Sequence, residues 1–573
     1  MRSPYIRAFK NIVDSFSRSE KALFYIASAA LVISVFLSLS RLNSAISVEV
    51  PARGGTLVEG ILGSAPFINP LLATSDAEKD LVALVFSGLT KTDREGNLIG
   101  DLAKEYSVSE DGKEYTFQLR DDIYFHDGTP VTAEDVEFTV KKAQDPATKS
   151  PRRISWEGVD IAVTNKKEIV FRLKQPFAAF ILNTTMGILP KHLWNTIENG
   201  QFSTSILNNN AVGSGPYKIR KIIRSTSGTE SIELSSSKGY ALGRPLLENI
   251  IIKFFPSEEE LLEAYEKGLV DSFTSISPTS IGRIKSESAI NTSTLPRIFG
   301  VFFNQNQNTL FVNKEIRQAL SLATDREKII KDVLLGFGTP VFAPVPERFL
   351  TASSTGNLKD AFSLEKAVEL LEKAGWKAGE NGIREKTIKK EKVKFKFSIS
   401  TSDIPELRSA ALILKEQWEK LGAEIELKVY KSGDLNQIAI RPRKYDALLF
   451  GEIVAHDLDL FAFWHSSERN DPGLNIALYT NSKVDKLLER SRTTTYKEKR
   501  DEELSDIVSE IKRDIPAIFL YAPQLIYVTP GDLAGLQLGE VTSGSDRFSG
   551  IHEWYRERDS VWKIFTKLNK FTN

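Results

Sequence analysis

A layered α/β architecture behind a single membrane-crossing helix is the fold class that three observations predict. Stretches of strand composition and stretches of helical periodicity are interspersed from about residue 53 onward, which points to α/β or α+β layers rather than a sandwich or a bundle. One apolar run near the start is long enough to cross a bilayer, and no second run of that length follows. The 573 residues also exceed the roughly 250–300 at which one hydrophobic core stops growing, so two or three domains are expected.

The apolar run comes first in the chain. "ALFYIASAALVISVFLSLS", between Lys21 and Arg41, contains no charge, and as a helix of nineteen residues it spans about 28 Å. Arg2, Arg7, Lys10, Arg18 and Lys21 precede it against Asp14 and Glu20, an excess that holds residues 1–21 in the cytoplasm. Residues 22–40 are therefore expected as an anchor, with a cleaved signal peptide as the alternative because Ser38, Ser40 and Ala45 follow or end the run. Both readings export the remainder. Residues 41–52 are expected as a short polar linker.

"GGTLVEGIL", "EYTFQLR", "KEIVFRL" and "SIELSSS" read as strands bounded by Gly, Asp or Ser. The Ser-rich "RSTSGTESIELSSS" reads as a hairpin tip, and "REKTIKKEKVKFKF", alternating Val393, Phe395 and Phe397 with lysines, as an exposed strand with a charged outer face. "SEEELLEAYEKGLVDSF" repeats apolar residues at Leu261, Leu262, Tyr265 and Leu269 with Ser257 and Glu260 as a capping box. "SLEKAVELLEKAGW" is a helix stopped at Gly375, and "ELRSAALILKEQWEKLGAEIELKVY" a helix ended at Gly422 and followed by a strand carrying Ile425, Leu427 and Val429.

Composition removes several function classes. Lys+Arg and Asp+Glu both number 75, which leaves no net field for nucleic acid. With no cysteine, disulfides, thiolate metal sites and cysteine nucleophiles are excluded together. No H-E-x-x-H, G-x-S-x-G or P-loop pattern occurs. No enzyme activity, cofactor or resident metal is expected; paired carboxylates of the hydrolase kind remain the one catalytic alternative.

"SEDGKEYTFQLRDDIYFHDGTPVTAEDVEFTV", residues 109–140, resembles the signature of the family-5 extracellular solute-binding proteins, the dipeptide-, oligopeptide- and nickel-binding components of ABC importers. "GGTLVEGILGSAPFINPLLATSDAEKDLVALVFSGLTKTD", "AVGSGPYKI" and "FFNQNQNTLFVNKEIRQALSLATDREKIIKDVLLGFGTP" are similar to further segments of that family, as are "AVELLEKAGW", "WEKLGAEIELKVY" and "YDALLFGEIVAHDLDLFAFWHSS". All occur in the family's order. The resemblance implies a two-lobed periplasmic-binding-protein-like fold: lobe 1 over 53–295 with an inserted subdomain at about 80–205, lobe 2 over 296–527, and a return to lobe 1 over 528–573. It also implies solute capture in an interlobe cleft and partnership with separate ABC permease and ATPase chains, the binding protein itself being a monomer. In the signature, Asp127-Gly128 reads as a turn, Thr132 as a helix cap with Asp135 in the first turn, and His126 as a packed strand-end residue.

"GEIVAHDLDLFAFWHSS", residues 451–467, is the polar and aromatic stretch to weigh. In peptide-binding relatives this strand offers backbone hydrogen bonds to an extended peptide, and an aspartate four residues past the glycine holds its ammonium group. Counted from Gly451 that place is held by Ala455, while Glu452 stands where the family has tryptophan. Gly451, Ile453 and Ala455 are expected to present backbone to ligand, with His456 beside them. Asp457, on a shift of one or two residues, or Glu452 from the other side, supplies the missing negative charge. Asp457 and Asp459 read equally as turn and helix-cap residues. Phe461, Phe463 and Trp464 are expected in the core. Asn304, at the entry to lobe 2, and Trp156, in the inserted subdomain, complete the candidate ligand contacts. A surface sensor or structural protein that keeps the fold is the alternative to an importer component.

Overall fold

The computed structural model describes residues 12–225, 228–285, 287–347, 350, 362–388, 390–454 and 458–566. It divides into two compact units, Met1–Gly55 with Tyr555–Asn573, and Thr56–Trp554.

In the first unit, helix α1 (Arg18–Ile46) begins at a reciprocal cap: the Ser17 hydroxyl accepts from the Glu20 N–H and the Glu20 carboxylate from the Ser17 N–H. Its apolar side chains, Leu31, Val32 and Phe36 among them, are exposed all round. Such a surface needs an apolar solvent, as a bilayer provides. The expected linker takes another form. The helix continues to Ile46, and Ser47–Pro51 pairs antiparallel with Arg558–Trp562, Ser47 opposite Trp562 and Pro51 opposite Arg558. No local pattern announces this, because the Glu49–Arg558 ion pair in the ribbon joins residues 509 positions apart.

The second unit is organised by one mixed sheet. Its strands β1 (Gly54–Leu62), β2 (Arg297–Phe303), β3 (Ala447–Ile453) and β4 (Ala517–Pro530) carry the argument. β4 is fourteen residues long and belongs to both lobes. Its first part pairs with β2 (Ala517 opposite Phe302), and its second part pairs with Ser288–Thr294 and with Ser272–Thr274, next to β1. Residues 288–303 run antiparallel beside it through the same crossing, with the Leu295 N–H on the Pro523 carbonyl. Two neighbouring strands thus connect the lobes, the geometry a hinge requires.

Lobe 1 is built on β1, Leu247–Phe255, Gly228–Ser236 and Tyr217–Ser225. A separate four-stranded antiparallel sheet, Ala103–Val108, Glu114–Leu119, Glu168–Arg172 and Asp160–Asn165, shares its core with it. In lobe 2 the sheet is apolar on both faces. Val301, Phe303, Ala447 and Leu449 point into one core, and Ile298, Phe302, Leu448 and Val454 into the other, the period-two alternation of a sheet covered on both sides. Helices α2 (Ser482–Thr493) and α3 (Lys497–Asp514) cover the second face with Leu487, Leu488, Ile507 and Ile511.

Several local readings are found as read. Ser257 and Ser363 cap helices Glu258–Glu266 and Leu364–Lys373, Pro405–Glu419 precedes strand Glu424–Tyr430, and the Ser-rich segment joins a hairpin. The basic stretch differs in forming a hairpin, Arg384–Ile388 with Glu391–Lys394, while Phe395 and Phe397 are buried as the charged outer face implied. Beyond β4, Leu533, Phe548, Ile551 and Trp554 pack on the lobe 1 core, but the expected return over 528–573 ends at Trp554, since the chain from Tyr555 joins the first unit.

The signature motif is structural. The Asp135 carboxylate accepts from the Thr132 N–H (2.9 Å) and hydroxyl (2.8 Å). His126 Nε2 donates to the Gly215 carbonyl (3.0 Å) while Nδ1 accepts from the Gly213 N–H, locking the motif to "GSGPY". Burial pushes this imidazole down to about 4, so it is neutral.

Candidate ligand-binding cleft

A cavity of about 620 Å³ lies between the lobes. Its lobe 1 wall is the turn Glu95–Leu98, Tyr106, the segment Phe177–Leu182 and Glu540; its lobe 2 wall includes Leu350, Leu458, Asp459, Arg492, Arg500 and Asp501. The Ala178 N–H donates to the Arg492 carbonyl at 3.0 Å, a direct backbone bond between the two walls.

Arg492 sits at the end of α2, where a cation is favoured by the helix dipole. Its guanidinium reaches Asp459 at 2.8 Å through Nε and 2.7 Å through Nη2, and lies 4.0 Å from the Phe461 ring centroid. Phe461 in turn stacks on His465, 4.1 Å between centroids. Asp459 also accepts from the Phe461 N–H at 3.0 Å, the turn that the sequence suggested, while the cap position of the short helix Phe461–Trp464 is Leu460. Phe461 and His465 of this stretch thus form a stack with Arg492 that the Asp459 carboxylate pins. Trp464 is buried in the core behind it, with Phe461 and Phe463 packed against that core. Among the described residues no group of three potential ligands is placed to hold a metal ion.

β3 precedes the lining residues Leu458 and Asp459 in the chain and has one edge open. On one side it pairs with β2 along its whole length, Ala447 opposite Phe303 through Ile453 opposite Arg297. On the other side Lys396–Ser402 pairs with it only at Ala447 and Leu448. Past Leu448, no described strand pairs with that edge. Gly451 lies over the Phe299 ring, so close that a β-carbon there meets it at 2.7 Å, and Ile453 is exposed.

Glu452 points elsewhere. It shares a face with Ile298 in the second-lobe core, is buried, and finds no hydrogen-bond partner for either carboxylate oxygen among the described residues. Desolvation holds its acid well above the usual carboxylate range. Its expected role as a charge for ligand is therefore not the one this geometry gives it: its carboxyl is buried on the core face of β3, opposite Ile298. Asn304 is also buried, its side chain donating to the Arg443 carbonyl and accepting from the Asn306 and Gln307 N–H groups. Trp156 is packed against Phe171 and Phe180. Both side chains are committed inside the protein. Ala455, His456 and Asp457 lie outside the described residues. The cleft residues that sequence reading did not reach, Arg492, Arg500 and Phe177–Leu182, come from elements without a motif, and only packing brings them together.

The model of the bacterial extracellular solute-binding proteins, family 5 Middle, matches residues 97–472. The oligopeptide-binding protein AppA of Bacillus subtilis (strain 168) is 28% identical, over 90% of this chain and 96% of its own length. The structure of AppA from Bacillus subtilis in complex with a nonapeptide matches with a TM-score of 0.64 at 26% identity, covering 88% of this chain and 99% of that one. NikZ from Campylobacter jejuni in complex with Ni(L-His) matches with a TM-score of 0.66 at 27% identity, covering 87% and 99%.

Proposed function

This chain belongs to the family 5 bacterial extracellular solute-binding proteins, and we propose that it captures a peptide or peptide-like solute between its lobes for delivery to an ABC importer. Proteins of this family bind substrates for ABC transporters and are not enzymes. The observation that carries the peptide reading is the open edge of β3 beyond Leu448. An extended peptide satisfies such an edge with main-chain hydrogen bonds that are indifferent to its side chains. Gly451 and Ile453 supply those bonds. The cavity lining includes the carboxylates Glu95, Asp459, Asp501 and Glu540 and the cations Arg492 and Arg500, a mixture suited to the two charged ends of a zwitterion. Closure about the two crossing strands lets a ligand touch both walls. The protein acts as a monomer outside the cytoplasm, held by α1 as a single-pass anchor, with permease and ATPase as separate chains.

Thermal melts of the detergent-solubilised protein against short peptides, free amino acids, sugars and nickel–histidine test the reading. A saturable rise in Tm with peptides is expected, since a ligand at a hundred times its Kd adds about 2.7 kcal/mol. A rise with nickel–histidine alone would replace peptide by metal chelate, and no rise anywhere would overturn solute capture.

A further inference from the structure

The paired ribbon beyond α1 leads to an inference about the membrane surface, which rests on reading α1 as an uncleaved anchor. Trp562 and Ile564 are 45% and 68% exposed. Single exposed apolar residues are ordinary on a protein surface, but these two are fastened to the outer end of the apolar helix. The Trp562 Nε1–H donates to the Asn43 side-chain oxygen at 2.7 Å, and the Lys563 Nζ donates to the Ala45 carbonyl at 3.1 Å. Asn43 lies three residues past the end of the uncharged run at Ser40, about 4.5 Å along the helix axis. A helix that fills the hydrocarbon with residues 22–40 therefore holds the Trp562 indole at the depth where acyl chains give way to headgroups. That is the layer where an amphipathic ring with one N–H is most stable. Lys563 follows it in the chain and Arg41 ends the uncharged run, and a cation at that depth lies against phosphate.

We propose that Trp562 and Ile564, with Lys563 between them, form an interfacial foot that docks on the phospholipid headgroup layer of the outer leaflet. The bilayer then holds the protein at two places far apart in the chain, α1 and the strand Arg558–Trp562, and the chain leaves the membrane as a paired ribbon. Depth falls along the ribbon from Ile564 through Trp562, opposite Ser47, to Asp559, opposite Val50.

The chain has no cysteine, so single-cysteine variants carry unambiguous labels. The full chain with Ile564→Cys, Asp559→Cys, Leu31→Cys or Leu269→Cys is spin-labelled and reconstituted into vesicles of phosphatidylcholine and phosphatidylglycerol. Power saturation then reads access to oxygen against access to a water-soluble nickel chelate. The label at 31 marks the hydrocarbon and that at 269, on an exposed residue of the other unit, marks water. The inference expects the ratio at 564 to lie between these two, several-fold above that at 269, and to fall at 559. Equal, water-like values at 564, 559 and 269, with 31 still in hydrocarbon, overturn the foot while leaving the anchor standing. A mass showing cleavage after the apolar run in cells, or a water-like label at 31, overturns the anchor and the foot together. Trp562→Ala in the Ile564→Cys background is expected to move the 564 label toward water; an unmoved, interfacial label would remove Trp562 from the foot.

Discussion

Two buried glutamates, one in each lobe, show what tertiary structure does with the same side chain. Glu59 on β1 is fully buried and fully engaged. The Arg547 guanidinium donates to it at 2.8 Å, the Tyr527 hydroxyl at 3.0 Å, and the Ser272 hydroxyl also donates to it. Arg547 also grips Asp80 with two bonds, at 2.8 and 2.7 Å, and packs on the Phe548 ring. Desolvation pushes the Asp80 acid up, against the pull of Arg547, and the same two carboxylates hold the guanidinium firmly charged. Glu452 on β3 has none of this. It is buried beside Ile298 with both oxygens unpartnered among the described residues. The first glutamate joins 488 positions of sequence through one ion pair and fixes the return of the chain onto lobe 1. The second has its acid raised by desolvation alone, and it lies on the strand that the proposed ligand pairs with.

The contrast can be broken most forcefully at Arg547. Arg547→Met leaves Glu59 and Asp80 buried without their cation and should cost about 3–5 kcal/mol, read as a lowered urea midpoint. Arg547→Met combined with Glu59→Gln and Asp80→Asn should recover much of that loss. A single mutant as stable as the parent would show that the network carries no structural weight.

Next in size is Gly451→Ala. The added β-carbon meets the Phe299 ring, itself stacked on Tyr521, so ring and strand must move apart. A cost of about 1–3 kcal/mol is expected, with weaker binding of any peptide found by thermal shift. Unchanged affinity would separate the strand from the site.

Glu452→Gln sharpens the comparison through pH. The folded-state acid is raised above its ordinary value of 4.5, so the native state holds a proton that the unfolded state releases. Stability contributed at low pH is then lost as pH climbs above about 4.5, by at most about 1.4 kcal/mol per pH unit. The glutamine variant should lack this slope and gain on the wild type from pH 5 upward. Parallel stability profiles would mean that Glu452 is charged and has found a partner.

The smallest effect is expected at His126, which sits in a satisfied environment like that of Glu59. Its depressed imidazole, about 4 against 6.5, contributes stability that is complete above pH 6.5 and is lost as pH falls toward 4. His126→Gln should remove that acid limb and cost about 0.5–1.5 kcal/mol at pH 7 for a weakened hydrogen bond.

Much of the local structure is legible in the residues themselves. Ser257, Ser363 and Thr132 announce helix starts, Gly375 and Gly422 helix ends, and the uncharged run 22–40 announces its solvent. The motif "YFHDGTPVTAEDV" is legible through its local turn and cap, Asp127-Gly128 and Thr132 with Asp135, while its bonds to Gly213 and Gly215 are long-range. The candidate site was less legible. A strand's side chains alternate between faces, so whether Glu452 meets ligand or core turns on a register that composition does not encode. Asn304 and Trp156 are polar or amphipathic residues whose partners, Arg443 in one case and Phe171 and Phe180 in the other, are distant or on other elements.

The sequence by itself determined the apolar helix long enough to cross a bilayer, the alternating layers and the family, since apolar length, periodicity and capping are properties of neighbouring residues. Only the tertiary structure decided that Glu452 is turned into the core, that Arg492 and Asp459 close the cleft wall, and that Ser47–Pro51 finds Arg558–Trp562. Each of these is a pairing between segments far apart in the chain, whose stability comes from partners that no local stretch of residues contains.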